Sequence, residues 1–335
     1  MKKSLVALAA LAVVGAASAQ STVTMYGLID QSLATASTKN SGTGAETTQN
    51  SIKNGVSNGS RIGFKGTEDL GGGLKADFLV ELSLTPDEKA ADMVNRQSYV
   101  GLSGNFGAVT VGRQYTPYYN TQLALDQVGG VSAPGYVVNN HIRELRNSNA
   151  VQYTSPTISG FTGVFQVAAG EETKAAPGAN QAGKNYGLSA VYAAGPLVAG
   201  FALDSIATPV PTTAKQDVWA AGASYDFNVA KAAFAYSKLN ATSNVGAPDV
   251  DSKGWNLSVA VPLGATTLSA NLGRANVTQT GTNEVTINGY QLRANYALSK
   301  RTTAYAVYGS DKTEVATVAG DVKNTQTSVG IRHTF

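Results

Sequence analysis

The chain has 335 residues, 43% hydrophobic and 14% charged, with 36 Gly, 2 His, no Cys and a formal net charge of +3. The lack of Cys excludes a disulfide framework, a thiolate metal site and a Cys nucleophile, and two His nearly exclude a multi-histidine metal centre. A charge of +3 is too weak for a nucleic-acid binder, and low charge with ample apolar content argues against disorder.

Lys2 and Lys3 precede an apolar run from Leu5 to Ala17, which ends in Ala17-Ser18-Ala19. A basic start, a short apolar core and a small-residue cleavage pattern predict a signal peptide over 1–19 and a mature domain over 20–335. Removing Lys2 and Lys3 takes the net charge from +3 to +1. No later stretch is long and apolar enough for a transmembrane helix.

From residue 20 onward the dominant period is two. Leu74, Ala76, Phe78, Val80 and Leu82 share a face opposite Lys75, Asp77 and Glu81. Trp255, Leu257, Val259 and Val261 oppose Gly254, Asn256 and Ser258; Tyr290, Leu292, Ala294 and Tyr296 oppose Gln291, Arg293 and Asn295. Val329, Ile331 and Phe335 oppose Gln326, Ser328, Arg332 and Thr334. Side chains alternate across a strand, so each segment has one apolar and one polar face.

Turn signals come in two lengths. Short ones fall at 68–73, 103–107, 155–156, 194–196, 226–228, 262–264 and 299–301. Long polar ones fall at about 37–58, 84–94, 114–145, 170–184, 205–216, 239–252, 276–286 and 311–324. The rhythm predicts an all-β chain, a 16-stranded antiparallel transmembrane β-barrel with short periplasmic turns and long extracellular loops.

Aromatic placement tells this barrel from a soluble one. Tyr153, Tyr192, Tyr225, Tyr296 and Phe335 lie on the apolar face at short-turn ends or the chain end; Tyr186, Trp219, Trp255 and Tyr290 lie on it at long-loop ends. Two aromatic rings around an apolar band match the girdles that sit at lipid headgroups. A soluble core would gather them at mid-strand.

Val23–Asp30, Ser60–Ala76, Asn95–Leu102, Gly104–Gly107, Val111–Gln114 and Val329–Phe335 are together specific. Through them the chain resembles the Gram-negative general porins of the beta-proteobacterial type. The resemblance implies a homotrimer of sixteen-stranded barrels that passes small hydrophilic solutes and ions through the bacterial outer membrane, amid lipid and lipopolysaccharide. It implies a third loop, about 114–145, folded inward to narrow the lumen. It also implies that the terminal Phe335 is handled by the barrel assembly machinery. The residues support the same loop: it is the longest gap between strands, and Tyr115, Tyr118, Tyr119, Leu123 and Leu125 could pack it.

Sixteen strands enclose a water channel rather than a packed interior, so passage is passive and set by radius and lining charge. By face parity Arg61, Lys65, Lys75, Asp77, Glu81, Arg96, Arg146, Arg293 and Arg332 point inward. The resemblance makes Arg61, Arg96 and Arg146 one wall of the constriction, and the expected facing groups are loop residues Asp126, Glu144 and Tyr118. Adjacent residues face opposite ways, so Arg96 and Gln97 compete for the inward position, and Arg113 falls on the outward face with no role assigned. The excess of inward basic residues predicts a weak anion preference.

The rival reading is a substrate-specific channel for sugars or carboxylates, for which Tyr115, Tyr118 and Tyr119 are a faint aromatic slide. An enzyme is disfavoured: His333 falls on the lipid face and His141 has no evident Ser partner. Gly178–Asn185 comes one residue short of a phosphate-binding loop, because Asn185 stands where Ser or Thr would bind Mg²⁺. No cofactor or metal is expected.

Overall fold

The computed structural model describes residues 22–87, 93–126, 145–170, 184–207, 215–242, 249–281, 284–316 and 320–335. The first half carries β1 (Thr22–Asn40), β2 (Glu46–Asn54), β3 (Arg61–Gly71), β4 (Leu74–Ser83), β5 (Asn95–Gly104), β6 (Gly107–Tyr115) and a helix, α1 (Pro117–Leu125). Then come β7 (Arg146–Thr154), β8 (Phe161–Ala168), β9 (Asn185–Ala194), β10 (Leu197–Ala207), β11 (Lys215–Asp226) and β12 (Lys231–Thr242). The chain ends with β13 (Val250–Leu263), β14 (Thr266–Gln279), β15 (Val285–Ala297), β16 (Thr302–Val315) and β17 (Asp321–Thr334).

These seventeen segments make sixteen staves of one antiparallel sheet. β1 pairs with β3 over Thr22–Leu28 and with β2 over Gln31–Lys39, so β2 and β3 are two halves of the second stave. β17 pairs with β1 from Leu28↔Thr334 to Asn40↔Val322, which closes the barrel and removes its open edges. At the seam the backbones of Gly27 and Phe335 exchange hydrogen bonds of 3.0 and 3.1 Å. The Phe335 ring lies over Gly27, where a Cβ would meet it at 2.5 Å.

Alternation sorts each stave into inner and outer faces. On β15, Gln291 and Arg293 are buried while Tyr290 and Leu292 are exposed on the outer wall. The same holds for Asn256 and Ser258 against Leu257, and for Asn271 against Leu272. The inner face is polar and the outer face apolar, the inverse of a soluble barrel.

Several long connections are shorter than expected. The segment 37–58 is not a surface loop: β1 runs to Asn40 and β2 resumes at Glu46. Likewise 276–286 and 311–324 are largely strand, with β14 reaching Gln279 and β16 reaching Val315. Beyond the hydrocarbon layer no apolar face is required, so the period-two signal fades while the hydrogen-bond ladder continues.

Candidate functional site: the lumen constriction

α1 starts where β6 leaves the wall. Thr116 caps it, its hydroxyl oxygen accepting from the Tyr119 amide at 3.1 Å, and Pro117 occupies the first turn. Buried Asp204 on β10 accepts from the Thr116 hydroxyl and the Tyr118 amide, placing a carboxylate at the positive end of the helix.

The helix is seated in a trough of small residues. A Cβ at Gly187 would come 2.6 Å from Pro117, one at Gly200 2.8 Å from Thr121, and one at Gly222 2.7 Å from Leu125. Three neighbouring staves thus present a glycine to positions four apart on one helix face. Between them Tyr118 packs on Ala202, Val218, Ala220 and Leu239. Tyr118 is 1% exposed, so it anchors the loop to the wall and does not line the water path; that expectation is corrected. Burial pushes its hydroxyl up to about 12.

With α1 against β9–β12, the open side of the lumen is the arc from β15 through β17 and β3 to β7. There the structure brings Arg61, Arg96 and Arg146 together. Arg96 Nε donates to Glu81 at 2.7 Å, and Arg61 Nη1 lies 3.8 Å from the same carboxylate. Tyr26 also donates to Glu81, at 3.0 Å. The Tyr115 hydroxyl accepts from Arg96 at 2.8 Å and from Arg146 at 3.0 Å, and the Arg146 guanidinium lies over the Tyr115 ring at 4.5 Å. Tyr119 packs against Tyr115 with the rings tilted by 42° and 4.8 Å between centroids, and is an electrostatic neighbour of all three arginines.

Counted from Val100 and Leu102, which are exposed on the outer wall, parity puts Gln97 inward and Arg96 outward, so the expectation that parity turns Arg96 inward is corrected. The ladder slips there: Glu81 faces Gln97 but Leu82 faces Asn95. Arg96 is the extra residue of a bulge, which turns it into the lumen. Arg113 stays on the outer wall, donating to the Asn95 carbonyl at 3.1 Å and Ser148 at 2.9 Å.

The facing groups differ from expectation. Glu81, on the same wall, pairs with the arginines. Asp126, at the end of α1, is an electrostatic neighbour of Arg293 instead. Glu144, His141 and most of 178–185 lie outside the described residues. Lys65, Asp77 and Tyr99 line a recess of about 530 Å³ in the inner wall, where Thr67 donates to Asp77 at 2.6 Å. Lys75 faces Asp69 across the β3–β4 turn.

A second inward feature had no counterpart in the sequence reading. The break at 55–60 folds onto Asp30, whose carboxylate accepts from the Ser57 amide at 2.9 Å, the Asn58 amide at 2.5 Å and the Tyr305 hydroxyl. Arg293 and Arg332 both donate to the Ser57 hydroxyl, at 3.1 and 3.3 Å. Val56 packs on Tyr305 and Val307.

On the outer wall Tyr153, Tyr186, Trp219, Tyr225, Tyr290, Tyr296 and Phe335 are exposed, and Tyr192 and Trp255 are half-buried. Three staves carry a pair six residues apart: Tyr186 and Tyr192, Trp219 and Tyr225, Tyr290 and Tyr296. That spacing is about 20 Å along a strand. His333 is also on the outer face, hydrogen-bonded to Thr302 at 2.9 Å.

A closed barrel with an apolar outer band, a polar lumen and an inward helix beside clustered arginines defines a channel of the outer-membrane type. The chain belongs to the Gram-negative porin family, whose sequence profile matches residues 5–316. It is similar to outer membrane porin protein 32 of Delftia acidovorans, 32% identical over the whole of both chains. An outer membrane porin protein of Bordetella pertussis is 30% identical, again over the whole of both. Among solved structures, an anion-selective porin from Comamonas acidovorans superposes with a TM-score of 0.77 at 27% identity, over 94% of this chain and 100% of that one. The chain is an outer-membrane porin, a diffusion channel and not an enzyme.

Proposed function

We propose that this porin is a general diffusion pore for small hydrophilic solutes with a weak preference for anions. The observation that carries this is the cluster of Arg61, Arg96 and Arg146, held by the single carboxylate Glu81 and by the Tyr115 hydroxyl. Three guanidiniums and one carboxylate leave two positive charges in excess beside the passage, which raises local anion concentration. Arg293 and Arg332 extend the basic arc, opposed by Asp30 and Asp126. The similar porin from Comamonas acidovorans is anion-selective, which supports the reading. A reversal potential of anion sign across a planar bilayer in a KCl gradient is the expected result; a cation sign refutes it.

The substrate-specific alternative, for sugars or carboxylates, would use the tyrosines as an aromatic slide. Tyr118 is buried and Tyr115 is engaged with two arginines, which favours the general pore. Flux linear in solute concentration supports it; saturation supports the alternative.

The same reading takes residues 1–19 as a cleaved signal peptide and Phe335 as the handle for the barrel assembly machinery. It takes the protein as a homotrimer in lipid and lipopolysaccharide. Outward-facing Tyr and Trp occur from β7 to β16, whereas among the described residues β1–β6 and β17 carry none on that face. Val23, Met25, Leu33, Val100 and Val111 are exposed there instead. An apolar face without headgroup anchors suits contact with another subunit. The girdle-bearing arc suits lipid.

A further inference from the structure

The break between β2 and β3 holds two Asn-Gly pairs, Asn54-Gly55 and Asn58-Gly59, and the chain has a third, Asn288-Gly289. An asparagine before glycine is chemically labile, because without a Cβ the following amide can close on the asparagine side chain. Two of the three pairs are protected. The Gly55 amide donates to the Asp30 carbonyl at 3.0 Å, and Asn54 Nδ2 donates to the Leu84 carbonyl at 2.7 Å. Gly289 is buried in the ladder between Gly273 on β14 and Asp311 on β16, which holds its backbone extended and its amide paired.

Asn58-Gly59 differs on each count. Asn58 is exposed, and its own amide is fixed on the Asp30 carboxylate at 2.5 Å. Its Oδ1 accepts from Arg61 Nη2, and the Gly59 carbonyl accepts from Arg61 Nε at 3.0 Å. The Gly59 amide makes no hydrogen bond among the described residues. One arginine thus grips the asparagine side chain and the glycine carbonyl at once, beside an unengaged amide nitrogen. A guanidinium on Oδ1 draws electrons from Cγ and stabilises the oxyanion that forms when that carbon is attacked.

We propose that Asn58 is a site of spontaneous deamidation that lowers the anion preference of the pore as the protein ages. The Gly59 amide nitrogen attacks Cγ of Asn58, and the new bond closes a five-membered succinimide. The Cγ–Nδ2 bond breaks, and Nδ2 leaves as ammonia with the proton that the Gly59 nitrogen gives up. Water then opens the ring at either carbonyl and returns a proton to that nitrogen. The product is aspartate or isoaspartate at 58, with its acid proton taken up by the ammonia. The new carboxylate lies against Arg61. The cluster of Arg61, Arg96 and Arg146 then faces two carboxylates rather than Glu81 alone, and its excess of two positive charges falls to one. The change in selectivity rests on the anion-preferring reading of the pore; the deamidation itself does not.

The test ages the full purified protein in detergent at mildly alkaline pH in heavy-oxygen water, which labels each ring opening. Trypsin cleavage after Lys53 and Arg61 then releases residues 54–61 as one peptide, and its fragment masses separate Asn54 from Asn58. Asn58 should carry the label while Asn54 and Asn288 do not; after unfolding in urea, Asn54 should react as fast as Asn58. No label at Asn58, or equal labelling of Asn54 and Asn58 in the folded protein, overturns the site. G59A tests the consequence. Gly59 is not in the left-handed region, and a Cβ there would meet only Arg96 Nη1, at 3.4 Å, so the segment keeps its shape while the attack slows. The wild-type reversal potential should drift toward zero on ageing, to the value of N58D, while that of G59A holds steady. Equal drift in G59A, or an N58D potential equal to that of the fresh wild type, overturns the proposal. A cation-sign potential in the fresh wild type refutes the pore reading instead, and the peptide map then decides the deamidation on its own.

Discussion

Arg96 shows how one residue's direction decides the pore's charge. Held inward by the bulge, it meets Glu81 and Tyr115 together. Removing it should shift the reversal potential toward zero and raise single-channel conductance, because a bulky side chain leaves the passage. E81Q should move selectivity the other way, toward anions, by removing the carboxylate that offsets the cluster; an unchanged reversal potential in both variants would detach the cluster from selectivity. Tyr118 acts differently, through packing. Y118A empties a fully enclosed site, which costs about 3–5 kcal/mol for an aromatic, and should appear as added current noise. The stability tied to its raised phenol is intact below about pH 10 and falls as the pH climbs to about 12, because the unfolded phenol ionises first. Ultraviolet titration of wild type against Y118A checks this: the difference spectrum should show one phenol ionising near 12 rather than near 10. Parity identified Arg61, Arg293 and Arg332 as inward, whereas Arg96 is turned inward by the slip in its ladder. Parity did not find that Glu81 and Tyr115 hold the cluster, because that depends on register slips at 81–82 and 112–114, which carry no composition signal.

Among the elements, α1 was the least legible. Its buried residues, Pro117, Tyr118, Tyr119, Thr121, Gln122 and Leu125, surround most of the helix, so it has no apolar stripe to read. Its seat was visible in principle, as small inward residues recur at Gly187, Gly200, Ala202, Ala220 and Gly222 on adjacent staves. Recognising the seat requires the cross-strand register, which only the fold supplies. G200V or G222V should therefore push α1 into the lumen and lower single-channel conductance while the barrel still forms; unchanged conductance would mean that the trough does not set the helix's position. The break at 55–60 is the second such element. D30A leaves two amides and the Tyr305 hydroxyl without an acceptor, at about 1–3 kcal/mol for each group left unpaired. It should lower the melting temperature and release the segment into the lumen, seen as new proteolytic sensitivity near residue 57. The staves themselves were legible wherever they cross lipid, because the two-faced environment enforces alternation, and illegible above it, where β1, β14 and β16 run on in water-facing Thr, Asn and Lys.

At the scale of the whole molecule, the mean hydropathy of −0.08 averages two environments. The outer face is apolar enough for lipid, and the lumen and loops cancel it. Among the described residues the interrupted aromatic girdle leaves one arc with outward Tyr and Trp and one without, which the proposed homotrimer assigns to lipid and to subunit contact. V100R should abolish a trimer band on mild gels, whereas L257R, on the lipid arc, should leave it; loss of the trimer in both, or in neither, would erase that division. The central claim is that this wall encloses an open aqueous passage whose charge is set by Arg61, Arg96 and Arg146. Planar-bilayer recording of the purified protein in a KCl gradient tests it most directly. The expected result is discrete ohmic conductance steps with a reversal potential of anion sign that moves toward zero when the three arginines are replaced by Ala. Absence of open-pore steps, or a cation-sign potential in the wild type, would contradict it.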